Sequence, residues 1–142
     1  MFDFYIKTPI SMQEIYFFIS YITKLTMDDI LVLHLKEDRY LPSNLDLNGI
    51  SCYCVIDDRS GDASLLVMLS RLEMNINELK RRLFTYSKGA KIPCYIPCDN
   101  FEGYLLTGLS EEPIRMRRIY LTEDYDENSL IFIPEGTKKS LY

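Results

Sequence analysis

The chain has no tryptophan, one histidine (His34), and only six glycines and six prolines among 142 residues. Each scarcity narrows what it can do. A single histidine restricts general-base chemistry to His34 or to carboxylates. No glycine-rich phosphate loop is present: "SGD" at 60–62 is a turn without a Gly-x-Gly or Gly-Lys-Ser/Thr partner. No segment approaches the roughly 18–20 apolar residues that span a bilayer. The opening "MFDFYIKTPISMQEIYFF" carries Asp3 and lacks the basic region of a signal peptide. The expectation is a cytoplasmic protein with reduced thiols.

What is present suits a folded protein. A chain of this length reads as a single globular domain, 1–142, that buries about two thirds of its unfolded surface without a metal or disulfide staple. Eleven tyrosines and seven phenylalanines give it many residues of the kind interfaces favour. The net charge of −5 is unevenly spread, since residues 70–91 hold six basic groups against two acidic ones while the flanking parts are acidic. Phosphates repel an acidic protein, so the balance favours a basic partner over nucleic acid.

"FDFYIKT" reads as a strand closed by Pro9. In "SMQEIYFFISYITKL", Ser11 and Glu14 form a capping box, and Ile15, Phe18, Ile19, Ile22 and Leu25 make one helical stripe. "DILVLHLKED" alternates and "GISCYCVID" is β-branched and aromatic, so both read as strands. Asp62 is placed to cap a helix over 63–86, where Leu65, Leu69, Leu72, Ile76, Leu79 and Leu83 form a continuous seam. Asn75 and Glu78 could instead start a separate helix there, and Gly89 is the expected terminator. "KIPCYIPC" holds two prolines, which predicts an edge or irregular strand. "GYLLTGL", "IRMRRIYLTE" and "SLIFIPEG" are further strands. The expected fold is α+β: a largely antiparallel sheet with two main helices, in the ferredoxin-like βαββαβ order, with a β-rich C-terminal extension.

The four cysteines stand in two pairs. Cys52 and Cys54 share a strand face about 6.5 Å apart, and an extended chain puts Cys94 and Cys98 about 13 Å apart. Zinc needs sulfurs converging on one ion, and redox work needs Cys-x-x-Cys at a helix start. Neither pattern occurs, so no metal or cofactor is expected, and the cysteines read as small apolar residues with Cys98 near a surface turn.

Three surfaces invite function. "TEDYDEN" concentrates Glu123, Asp124, Asp126 and Glu127 around Tyr125. It lacks the glycine and distal glutamate of a calcium loop. Its plainer reading is a solvated loop; its functional one is an anionic patch, anchored by Tyr125, that docks on a basic cleft. "LSRLEMNINELKRRLF" faintly resembles a helix-turn-helix over 69–84, with Arg71, Lys80, Arg81 and Arg82 for phosphates; an amphipathic helix with a basic outer face is the plainer account. Tyr16, Phe17 and Tyr21 fall beside the main stripe of the first helix. They read as second-layer core or as an exposed patch that could form a homodimer.

In size, acidity, tyrosine content, α+β make-up and lack of catalytic apparatus, the chain resembles bacterial immunity proteins that neutralise toxins of contact-dependent inhibition and related polymorphic toxin systems. The resemblance implies a protein-binding inhibitor rather than an enzyme, with a basic toxin domain, often a nuclease, as partner. Occlusion would place "TEDYDE", Asp99 and Glu102 where substrate phosphates go, with Tyr104 and Tyr125 packed around them. The alternatives are a DNA-binding regulator and a small enzyme using carboxylates and His34.

Overall fold

The structure, a computed structural model, describes residues 1–36, 48–98, 102–107, 112–119 and 129–134. In chain order the elements are β1 (Phe2–Ile6), α1 (Met12–Thr23), β2 (Ile30–His34), β3 (Cys52–Asp58), β4 (Ser60–Gly61), β5 (Leu65–Ser70), α2 (Ile76–Ala90), β6 (Cys94–Pro97), β7 (Glu102–Leu106), β8 (Ile114–Ile119) and β9 (Ser129–Pro134). The class is the expected α+β, with two helices and a mostly antiparallel sheet ordered β2-β3-β5-β1-β6-β7-β8-β9-β4.

The first helix forms as its sequence directs. Ser11 Oγ accepts from the Glu14 N–H at 3.1 Å while Glu14 Oε1 accepts from the Ser11 N–H at 3.0 Å, satisfying two donors that a helix start leaves unpaired. Ile15, Phe18, Ile19 and Ile22 are buried on the sheet, and the helix ends at Lys24 in the left-handed conformation. α2 lies antiparallel beside it, and Arg82 Nε and Nη2 donate to the Tyr21 carbonyl at 2.9 and 2.6 Å. A cation thus sits at the C-terminal turn of α1, where free carbonyls concentrate negative charge.

Four local expectations are overturned. The helix expected over 63–86 is two elements: Leu65–Ser70 is a strand, and only Ile76–Ala90 is helical. Leu65, Leu66, Val67 and Leu69 are buried: β5 lies inside the sheet, with Leu65, Val67 and Leu69 on the main core and the equally apolar Leu66 and Met68 on the other face. Such a strand loses the alternation that identifies it, and its leucines imitate a helical period. Asn75 is the true N-cap, its Oδ1 accepting from Asn77 and Glu78 at 2.8 and 3.3 Å. The helix runs past Gly89 and ends at Lys91, φ 56°. Asp62 caps no helix; its carboxylate accepts from the Phe132 N–H at 2.7 Å.

The fourth correction concerns "KIPCYIPC". β6 is an interior strand between β1 and β7. The Cys98 N–H donates to Glu102 O on the β7 side, so by alternation the imide nitrogens of Pro93 and Pro97 face β1. There the ladder needs little from them: Pro93 accepts from Lys7 N, and β1 pairs with β6 only through Tyr5–Tyr95 and Ile6–Cys94.

β3, β5, β1 and β6 lie in the split-βαβ order with antiparallel neighbours. β2 is an addition outside β3 and runs parallel to it, so these two strands are not the hairpin their succession suggests. The helices and one sheet face enclose the main core, including Phe4, Ile6, Phe18, Ile22, Leu79 and Leu83. A second cluster of Ala63, Tyr95, Leu105, Met116 and Phe132 lies apart from it. Phe132 of β9 stacks on Tyr95 of β6 with ring centroids 3.9 Å apart. In a flat sheet three strand steps would separate them by about 14 Å. The extension therefore curls back over the sheet. β4, in the β3–β5 connection, pairs in parallel with β9 and closes the curl.

Candidate functional site

The expected docking residues divide into two groups. Asp99, Glu123, Asp124, Tyr125, Asp126 and Glu127 lie outside the described residues. Glu102 and Tyr104 are on β7, which pairs antiparallel with β8 through Glu102–Arg117 and Tyr104–Arg115. Tyr104 is 39% exposed. Glu102 Oε2 accepts from Arg115 Nη2 at 3.1 Å, a solvent-exposed ion pair of the kind worth only about 0–1 kcal/mol. Glu102 therefore meets any basic partner by exchanging one arginine for another.

Register shows what these strands have in common. β7 begins at Glu102 beside Arg117, close to the end of β8 at Ile119, and Ile119 pairs with Ile131 near the start of β9. β6 ends at Pro97 opposite Gly103. The end of β6, the start of β7, the end of β8 and the start of β9 thus share one end of the sheet. Glu102 stands at that same end, and Tyr104 at the middle of β7.

The other candidates fare differently. His34 is buried, with Nε2 3.2 Å from Asp58 Oδ1 and Nδ1 accepting from the Lys36 N–H at 3.2 Å. Both ring nitrogens are engaged, which is the arrangement of a structural histidine. The helix-turn-helix reading fails on geometry: the segment before α2 is a strand, so no first helix exists to cradle a recognition helix. Arg71 donates to Tyr53 Oη at 2.7 Å, and Arg82 is held by α1.

On α1, Phe17 and Tyr21 are 47% and 38% exposed, while Tyr16 packs partly against the core. Tyr21 is also covered from one side by the Arg82 guanidinium, 4.6 Å from its ring centroid. The possible dimer face is therefore two aromatic residues, with Tyr16 withdrawn from it.

Cys52, Cys54 and Cys94 are buried and Cys98 is exposed; none forms a disulfide. Burial pushes the Cys52 thiol up to about 11 and the Cys94 thiol up to about 12, and raises Cys54 as well, so these three stay protonated and unreactive. Among the described residues no group of three His, Cys, Asp or Glu side chains could hold a metal ion. Nor is any helix among them long and apolar enough to cross a membrane.

Sequence reasoning passed over two concavities, one of about 660 Å³ between Lys24, Asn48, Arg71 and Glu78 and a second at the sheet. That second cavity, of about 460 Å³, opens where β1 and β6 part, lined in part by Asp3, Tyr5, Lys80, Tyr95 and Cys98. Its residues come from four elements, β1, β5, α2 and β6, and no spacing in the chain announces them. Comparison of the chain with protein-family models, with curated proteins and with solved structures gives no match.

Proposed function

We propose that this protein is an immunity-type inhibitor, which binds a basic toxin domain in the cytoplasm and blocks its active site. A nuclease is the partner class that fits best, because a phosphate-binding cleft is the natural complement of a carboxylate-rich surface. One observation supports the reading: β6 ends, β7 begins, β8 ends and β9 begins at one end of the sheet, and Tyr104 of β7 is exposed. Carboxylates at this end would take the positions of substrate phosphates. Tyr104 and Tyr125 would pack beside them as amphipathic anchors. Inhibition of this kind makes and breaks no covalent bond.

The test is co-expression with a toxin nuclease domain encoded beside this chain. Wild-type protein should restore growth, and a variant with Glu123, Asp124, Asp126 and Glu127 all changed to Ser should not. Absence of rescue by the wild type overturns the functional class. Full rescue by the quadruple variant overturns the surface. The exposed pair Phe17 and Tyr21 also fits a second copy of this chain; light scattering that finds only monomer, with or without Phe17→Ser, would dismiss that dimer.

A further inference from the structure

The sheet ends on one side at β4, a two-residue strand, and on the other at β2, which has five residues. Among the described residues no strand pairs with the outer side of β2. The Leu35 N–H donates to the Ile56 carbonyl and the Ser51 N–H donates to the Asp29 carbonyl, both at 2.8 Å. In a parallel ladder one residue donates and accepts toward the same neighbour, and the next turns both groups the other way. Asp29, Leu31, Leu33 and Leu35 therefore face β3, while Ile30, Val32 and His34 aim N–H and C=O outward. The side chains of those three are buried, so the core fixes the edge that carries these groups.

Folded proteins ordinarily guard an open edge with a lysine, a proline or a bulge. "ILVLH" has no lysine and no proline, and its pairing with β3 runs without a skipped residue. The sheet face beside this edge is apolar. Leu31 and Leu33 are half-exposed beside the half-exposed Tyr53 and Val55 of β3. Met68 of β5 continues the row of Leu33 and Val55, and Leu35 is 54% exposed.

We infer that β2 is an interface for a second copy of this chain, the two strands pairing antiparallel with Val32 on the two-fold axis. In that register Val32 exchanges both backbone bonds with its counterpart, and Ile30 comes opposite His34 of the other copy. Leu31 of each copy stands opposite Leu33 of the other, a close pair with Cα atoms about 4.5 Å apart, and the two apolar faces join. Charge selects the direction. The exposed Asp28 precedes β2 and the exposed Lys36 follows it, so antiparallel strands bring unlike charges together and parallel strands bring like ones together. A second copy suits this edge because the strand is self-complementary about Val32 and a two-fold contact closes on itself. The edge is separate from Phe17 and Tyr21 of α1, and the inference does not rest on the toxin-neutralising reading.

Sedimentation velocity over a concentration series should show a reversible monomer–dimer equilibrium. Leu33→Lys, at a half-exposed position, should weaken it about tenfold or more by placing a charge where the apolar faces meet. Adding Leu31→Glu to the same chain should restore association, because the two changes stand opposite each other across the axis. In a Cys98→Ser background, a Leu31→Cys chain mixed with a Leu33→Cys chain should form an intermolecular disulfide faster than either chain alone. Circular dichroism checks that each variant folds, and the cysteine pair keeps the test open if Leu33→Lys does not. A protein that stays monomeric, a dimer that survives Leu33→Lys, a dimer lost on Phe17→Ser, or equal cross-linking of mixed and unmixed chains overturns the inference. Rescue from a toxin is scored with Leu31 and Leu33 unchanged, so the two readings fail separately.

Discussion

Placing a side chain at Gly103 should unseat the second core. A Cβ there would lie 2.5 Å from the Ile96 carbonyl oxygen, 2.5 Å from Tyr95 Cζ and 2.6 Å from the Tyr95 hydroxyl. Ordinary contact begins near 3.4 Å, so roughly 1 Å must be found on two sides at once. The oxygen belongs to the β6–β7 ladder, where Ile96 pairs with Tyr104. The ring is stacked on Phe132 and is 2% exposed, so it has little room to retreat. Overpacking of this kind costs about 1–3 kcal/mol, and disturbing the aromatic pair adds about 0.5–1.5 kcal/mol. Gly103→Ala should therefore destabilise by about 2–4 kcal/mol, a fall in Tm of roughly 5–15 °C for a chain of this size. Urea unfolding followed by far-ultraviolet circular dichroism measures it. In a cycle with Tyr95→Leu, the penalty of Gly103→Ala should shrink by about 1 kcal/mol, because the ring clash is gone while the clash with the Ile96 oxygen stays. A stability within about 0.5 kcal/mol of wild type would refute the account of how Tyr95 is seated.

Two further outcomes are expected. Asp62→Ala should cost about 1–2 kcal/mol by leaving the Phe132 N–H without its carboxylate acceptor, and amide hydrogen exchange should speed up over 129–134 before it does in β1 or β5. Hydrogen bonds from the Ser11 backbone and hydroxyl hold the Glu14 carboxyl below its ordinary value of 4.5. Its stabilising effect is then fully present above that value and lost as pH falls through the lower folded-state value. Glu14→Gln should be less stable than wild type near neutrality, with the gap closing as melts are run into the acid range; a gap independent of pH would contradict the capping assignment.

Where a segment has one wet face and one buried face, its pattern announced it. α1 was legible because Ser11, Glu14 and the apolar stripe from Ile15 to Ile22 agree, although Leu25, counted on that stripe, falls beyond the helix end at Lys24. β2 was legible because Ile30, Val32 and His34 turn inward while Leu31 and Leu33 stay half-exposed. β5 was hidden, since Leu66 and Met68 on one face are as apolar as Leu65, Val67 and Leu69 on the other, so its sequence carries no period of two. The position of β6 was hidden for another reason: whether proline harms a ladder depends on which side its missing N–H faces, and only the pairing of Cys98 with Glu102 settles that. The cysteines were read as small apolar residues with Cys98 near a surface turn, and Cys52, Cys54 and Cys94 are buried while Cys98 is exposed. The contact between Asp62 and Phe132 spans 70 residues, and the cavity draws Asp3, Lys80 and Cys98 from β1, α2 and the end of β6. Neither leaves a local trace.

The latch between β4 and β9 sets an order of events for synthesis. Until Ser129–Pro134 has left the ribosome, Tyr5 and Tyr95 have no Phe132 to cover them, although everything from β1 to β6 is ready to assemble. The last pairing joins segments about seventy positions apart, the slowest sort of closure for a chain to find. A product cut short before Ser129 would keep its helices and main core yet expose a greasy aromatic floor, and should be recognised by chaperones and proteases as unfinished.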